Sequence, residues 1–171
     1  WPNLAHDDRN IRYAARIAME SQSLAHWKEA VFAESKPRTV IQGVIGLCRH
    51  GDKGVTSRVI KKLNEISFSE LDGQDQLSLL RAYSLCLIRL DPPTQAEIDS
   101  IIAKLDPHYP ATVQASSEVE SPRQGQDFAQ DLNTELCRVL SYLHAPNVVG
   151  KTIALMKVTQ TAAMEYNAEM L

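Results

Sequence analysis

The 171-residue sequence predicts an all-α fold, and three observations carry that prediction. Apolar residues recur at spacings of three and four along eight segments, as a helix with one buried stripe requires. Helix punctuation bounds most of these segments, with Asp, Ser or Thr ahead and Gly or Pro behind. No segment shows the strict apolar–polar alternation of a half-buried strand.

The first helix is expected over 8–20, capped by Asp7 or Asp8, with Ile11, Ala14, Ala15 and Ala18 on one face. A second, over 23–34, aligns Leu24, Trp27 and Val31. The third opens at Pro37, whose missing amide is harmless in a first turn, carries Val40, Val44, Leu47 and Cys48, and ends near Gly51. The fourth follows Gly54 and lines up Val55, Val59, Leu63 and Ile66. The fifth starts at about Asp75, holds Leu80, Tyr83 and Leu87, and cannot pass Pro92-Pro93. Thr94 then caps a sixth helix with Glu97 at the capping-box position, ahead of Ile98, Ile101, Ile102 and Leu105. A seventh over 127–143 presents Leu132, Leu136, Val139, Leu140 and Leu143, and Pro146-Asn147 introduces an eighth over 148–158.

Composition bounds the function. Hydrophobic residues at 44% and charged residues at 23% are an ordinary globular balance. A formal charge of -3 speaks against nucleic acid as the main partner. No apolar run reaches the ~20 residues that a bilayer crossing needs. Cys48, Cys86 and Cys137 form no CxxC or CxxCH pattern, so they are expected to be small buried hydrophobes rather than a disulfide framework or zinc site. The chain opens at Trp1 without a Met and stops inside the helical-looking stretch 162–171, so it is expected to be a fragment of a larger protein, folded as one domain over 1–171.

Four of the helices share a pattern. In the eight-residue stretches starting at Arg12, Ile41, Leu80 and Thr134, third place is Ala14, Gly43, Ala82 or Leu136 and seventh place is Ala18, Leu47, Cys86 or Leu140. Small or apolar residues four apart allow close helix packing. The intervals between the third places are 29, 39 and 54 residues, the last stretched by a long connection at about 106–126. Paired helices with Arg-rich ends and Asp-Arg at the opening of the first resemble HEAT repeats. That likeness implies a right-handed stack of about four antiparallel helix pairs plus a truncated C-terminal helix. More narrowly, Leu105-Asp-Pro-His-Tyr-Pro110, Leu132-Asn-Thr-Glu-Leu-Cys137 and Ser141-Tyr-Leu-His-Ala-Pro146 resemble the helical-repeat region of large secreted, haem-domain-bearing proteins of PVC-group bacteria. This second likeness implies a periplasmic or secreted location. It also implies a non-catalytic scaffold or protein-interaction role inside a multidomain redox protein.

Candidate functional residues are few. Arg58, Lys61, Lys62 and Glu65 share the face of the fourth helix opposite its apolar stripe. Such a stripe is ordinarily a solvated face; if functional, it would suit an acidic protein surface or a polyanion. The connection at 106–126 has three prolines, one glycine and a Ser/Glu-rich middle at 115–121, with His108 and Tyr109 near its start. A connection this long is expected to be a solvated insertion anchored by Tyr109, or a partner-binding arm. Arg58, Lys61, Lys62, His108 and Tyr109 are therefore the candidate partner-binding residues. No two histidines are three or four apart, no glycine-rich phosphate loop appears, and no triad is suggested, so neither catalysis, a metal nor a cofactor is expected. His50 and His144 lie at helix ends, where donors satisfy free carbonyls. A HEAT-like nucleic-acid-binding module is the alternative function, weakened by the four acidic residues between Leu63 and Asp75.

Overall fold

The computed structural model describes residues 1–112 and 122–157, apart from the side chains of 122–127. The expected features at 115–121 and 162–171 lie outside the described residues. Every regular element among the described residues is helical. They divide into two compact units, one over 1–104 and one that begins at Leu105.

In the first unit, α1 spans Arg9–Glu20, and the Asp8 carboxylate caps it by accepting the amides of Asn10 at 2.7 Å and Ile11 at 3.3 Å. Its buried side is not the expected one. Arg12, Arg16 and Met19 are buried, whereas Ile11 is 39% exposed and Ala14 and Ala18 face solvent. The arginines go inward because each head group finds acceptors there. Arg12 Nη1 donates to the carbonyls of His6 and Asp7, both at 2.7 Å, and Arg16 Nη1 donates to Gln42 Oε1 at 2.9 Å. Their aliphatic stems can then cover apolar surface.

The expected helix at 23–34 is broken. A 3-10 turn at Leu24–His26 is followed by α2 at Lys28–Ala33, because Trp27, at φ -129°, bends the chain as its indole is buried. Helix α3 spans Pro37–His50 and ends at Gly51, whose φ of 76° is the left-handed conformation that favours glycine. Two interior glycines of α3 mark close approaches. A Cβ on Gly43 would stand 2.8 Å from Val31 Cγ2, and one on Gly46 would stand 2.7 Å from Met19 Cε. Gly43 thus admits α2 and Gly46 admits α1.

Helix α4 covers Thr56–Asn64, so Ile66, in line with its apolar stripe in the sequence, lies two residues past its end. The Lys104 ammonium accounts for the stop, since it donates to the carbonyls of Leu63 at 2.9 Å and Asn64 at 3.0 Å, and also to that of Ile66. Helix α5, Gly73–Arg89, is capped by Asp72, which accepts the Asp75 amide at 2.8 Å. Helix α6, Gln95–Leu105, opens with the expected capping box: Thr94 N–H donates to Glu97 Oε2 at 2.7 Å, and Glu97 N–H reaches Thr94 Oγ1 at 3.4 Å.

The core lies between α3 and α5, where Ile41, Val44, Leu47, Cys48, Leu79, Leu80, Tyr83 and Cys86 are at most 0% exposed. Arg38, in the first turn of α3, bonds Asp7 ahead of α1 and Asp72 and Asp75 at the start of α5. At the other end, Glu20 of α1 pairs with Arg49 of α3 at 3.0 Å. Helices α1, α3 and α5 therefore run in the same direction.

The second unit contains α7, Pro122–Tyr142, and α8, residues 148–157. Helix α7 begins five residues earlier than the sequence pattern predicts, with proline in the first turn where its missing amide is tolerated. It closes with the two bonds of a Schellman motif, His144 N–H to Ser141 O at 3.1 Å and Ala145 N–H to Leu140 O at 2.9 Å. His144 takes the left-handed position at φ 56°. Its place at the helix end is as expected, but its backbone rather than its ring satisfies the carbonyls.

Candidate functional site

Helices α4 and α6 lie side by side in the first unit and leave an open groove of about 570 Å³ between them. On α4 the lining residues are Ser57, Ile60, Lys61 and Asn64, one face at helical spacing, continued by Glu65 just past its end. On α6 they are Ala96, Glu97 and Ser100. Two polar ties set the width: Asn64 Nδ2 donates to Ser100 Oγ at 2.9 Å, and Ser57 bonds the Glu97 carboxylate. The first tie extends inward, because Tyr83 OH donates to Asn64 Oδ1 at 2.7 Å. Burial pushes the Tyr83 phenol above its ordinary pKa, so it stays a donor. Hydrogen bonds from Ser57 and Thr94 hold Glu97 below the usual carboxylate range, so the rim carries a negative charge there.

The three basic candidates of α4 have separate fates. Arg58 makes a two-pronged pair with Glu29 of α2, at 2.9 and 2.7 Å, and its guanidinium lies 3.8 Å from the centre of the Phe32 ring. It is a clasp between α2 and α4. Lys62 pairs at 3.1 Å with Glu65, the residue that follows its helix. Lys61 is exposed, lines the groove, and has no ion pair among the described residues. The charged stripe read from the sequence thus presents to the groove one ammonium, Lys61, without an ion pair among the described residues.

The other two candidates belong to the second unit. His108 ends a 3-10 turn at Asp106–His108 and is half-buried. Tyr109 is 3% exposed, and its hydroxyl shares a hydrogen bond of 2.7 Å with Thr152 Oγ1 of α8. Asn133 of α7 holds the next stretch of chain, accepting from Ala111 N–H at 2.7 Å and donating to Ala111 O at 2.9 Å. These contacts fit the anchor reading of Tyr109. Thr152 also lies 3.5 Å from Cys137 Sγ, and Cys137 is half-buried rather than fully buried as the sequence suggested. Burial raises the pKa of that thiol, but hydrogen bonds from Thr152, Tyr109 and Ser141 outweigh it and bring the group below its ordinary value.

The groove was missed as a unit by sequence reasoning, because its walls come from helices some 36 residues apart, as the Asn64–Ser100 bond shows. Only the α4 wall had a signal, the polar spacing of Lys61 and Glu65. No family model, curated protein or solved structure matches this chain. The HEAT-like and PVC-group resemblances accordingly rest on the sequence.

Proposed function

We propose that this chain is a non-catalytic helical-repeat scaffold whose α4–α6 groove docks a segment of a protein partner or of a neighbouring domain. The observation that carries the reading is the groove itself: apolar at Ile60 and Ala96, flanked by one unpaired ammonium at Lys61 and framed by hydrogen bonds that fix its width. That chemistry suits an apolar side chain seated between the helices with a carboxylate close by for Lys61. In this reading α3–α4 and α5–α6 are antiparallel pairs of a HEAT-like stack, with α4 and α6 on its inner side. The narrower resemblance adds a place outside the cytoplasm, within a larger redox protein.

Nucleic acid is the weaker alternative, since Arg58 and Lys62 are already neutralised by Glu29 and Glu65. A binding track for phosphates needs several free cations in a row. Lys61→Glu and Ala96→Arg test the docking reading, because both positions are exposed and neither change reaches the core. Quantitative mass spectrometry of proteins co-purified from the host should show one component lost in both variants while helical content stays unchanged. Retention of every component in both variants would refute the docking groove.

A further inference from the structure

A second polar cleft, of about 250 Å³, opens where the ends of α1, α3 and α5 meet, and is lined by Glu20, Arg49, His50 and Arg89. It is separate from the α4–α6 groove and does not rest on the reading proposed for that groove. Its charge is unbalanced. Among the described residues Glu20 is the one carboxylate lining it: Oε2 accepts a hydrogen bond from Arg49 Nε at 3.0 Å, whereas Oε1 is ion-paired with Arg16 Nε at 3.3 Å without a hydrogen bond. Arg16 is 8% exposed, with its Nη1 committed to Gln42. Arg89 lines the cleft, is exposed, and has no ion pair among the described residues.

Basic residues near helix C-termini have an ordinary use, which is to offset the partial negative charge of the free carbonyls. Three helix ends at roughly half a charge each, together with Glu20, offset about two and a half of the three arginine charges gathered here, so what distinguishes the cleft is Arg89, which has no ion pair among the described residues. Arg16, Arg49 and Arg89 gather with His50 around one carboxylate, and Arg81 is near enough to act on Arg16 as well. Burial is the main influence lowering the Arg16 pKa; Glu20 opposes it, and the like charges of Arg49 and Arg81 add to it. The His50 ring stands edge-on to Trp27 beside the cleft, ring centres 6.4 Å apart.

We infer that this cleft binds a phosphate-class anion, gripped by the Arg49 and Arg89 guanidiniums, with Glu20 positioning Arg49. Guanidinium forks match the oxygens of phosphate in pairs, and two forks from neighbouring helices can hold one tetrahedral anion. The same chemistry could come from free inorganic phosphate or from a phosphorylated side chain of a protein.

The test is a titration of inorganic phosphate into the full chain labelled with 15N, at constant ionic strength maintained with chloride. Saturable shifts should centre on Glu20, Arg49, His50 and Arg89. Arg89→Gln, which breaks no ion pair seen among the described residues, should weaken binding at least fivefold, while Lys61→Gln should leave it unchanged. A phosphoserine peptide that binds tighter than the free ion, with the same dependence on Arg89, would identify a protein source; a peptide no tighter than the ion would identify the free ion. Absence of saturable shifts with either probe, or binding that Arg89→Gln leaves intact, would overturn the proposal.

Discussion

Arg38 Nε donates to Asp75 Oδ2 at 2.8 Å, linking the first turns of α3 and α5 across 37 residues of sequence. The same guanidinium bonds Asp72 at 2.6 Å and Asp7 at 2.9 Å, so one side chain gathers the beginnings of three helices. Burial pushes the Asp75 carboxyl above its ordinary range, more than Arg38 draws it down. Removing the cation therefore strands a carboxylate that is poorly solvated.

Arg38→Ala should destabilise the first unit by about 3 kcal/mol, near the low end for breaking a buried pair, because the Arg38 side chain keeps 23% of its surface exposed. The deficit should shrink as pH falls and Asp75 is protonated, since a neutral carboxyl no longer needs the cation. Urea unfolding of both proteins at neutral and at acid pH measures this. A deficit independent of pH would show that the Asp75 charge is not the cause.

The two helical glycines of α3 should respond differently to alanine. At Gly43 the new Cβ meets Val31 Cγ2 at 2.8 Å and Cγ1 at 3.0 Å, both on a stiff, fully buried side chain. At Gly46 it meets the tip of Met19, which can swing away. Gly43→Ala should destabilise by about 1–2 kcal/mol after the gain in helix propensity, and Gly46→Ala should be neutral or stabilising by up to ~1 kcal/mol. Thermal melts of the two variants compare them directly.

Left-handed backbone at His144, φ 56°, strains a side chain with a Cβ. His144→Gly should stabilise the end of α7 by about 1 kcal/mol, and Gly51→Ala at the matching position of α3 should destabilise by about the same amount. Denaturant midpoints give both signs.

Thiol reactivity should divide the cysteines. A hydrogen bond with the neighbouring Cys86 thiol, and then burial, keep Cys48 protonated, and both cysteines are 0% exposed. Cys137 is half-buried and hydrogen-bonded by hydroxyls that favour its thiolate. A thiol reagent applied to the native chain should therefore label Cys137 first. Peptide mapping over time would show the order, and early labelling of Cys48 or Cys86 would contradict the packing of α3 on α5.

Lys104 gives stability a particular pH dependence. Burial pulls its ammonium down to about 8, below the ~10.4 of an exposed lysine. Between those values the unfolded chain binds more protons than the folded one, so stability rises with pH there. Wild type should gain on Lys104→Met from about pH 8 to ~10.4, and a flat difference across that range would contradict the burial of the charge.

Local chemistry was legible in the sequence where it acts within a few residues. The Thr94–Glu97 box, the Pro37 start and the Gly51 stop are each settled by neighbours in the chain, and each stands where the pattern puts it. Arg16 was unreadable because the acceptor that draws its Nη1 inward, Gln42, is 26 residues away. Charge was misleading on α4 for the same reason: Glu29, which neutralises Arg58, is 29 residues distant. The groove and the anion cleft both depend on which helices become neighbours, and periodicity within one helix does not encode that choice.

The most direct test of the docking account is a benzophenone photo-crosslinker placed at Ala96, with a second at the exposed Ile88 of α5 as a control outside the groove. Irradiation in the host, followed by mass spectrometry of the crosslinked peptides, identifies what occupies each position. The account predicts one protein segment at Ala96, bearing an apolar residue and a nearby carboxylate, absent at Ile88 and lost in Lys61→Glu. Nucleic acid at Ala96, or the same products at both positions regardless of Lys61, would contradict it.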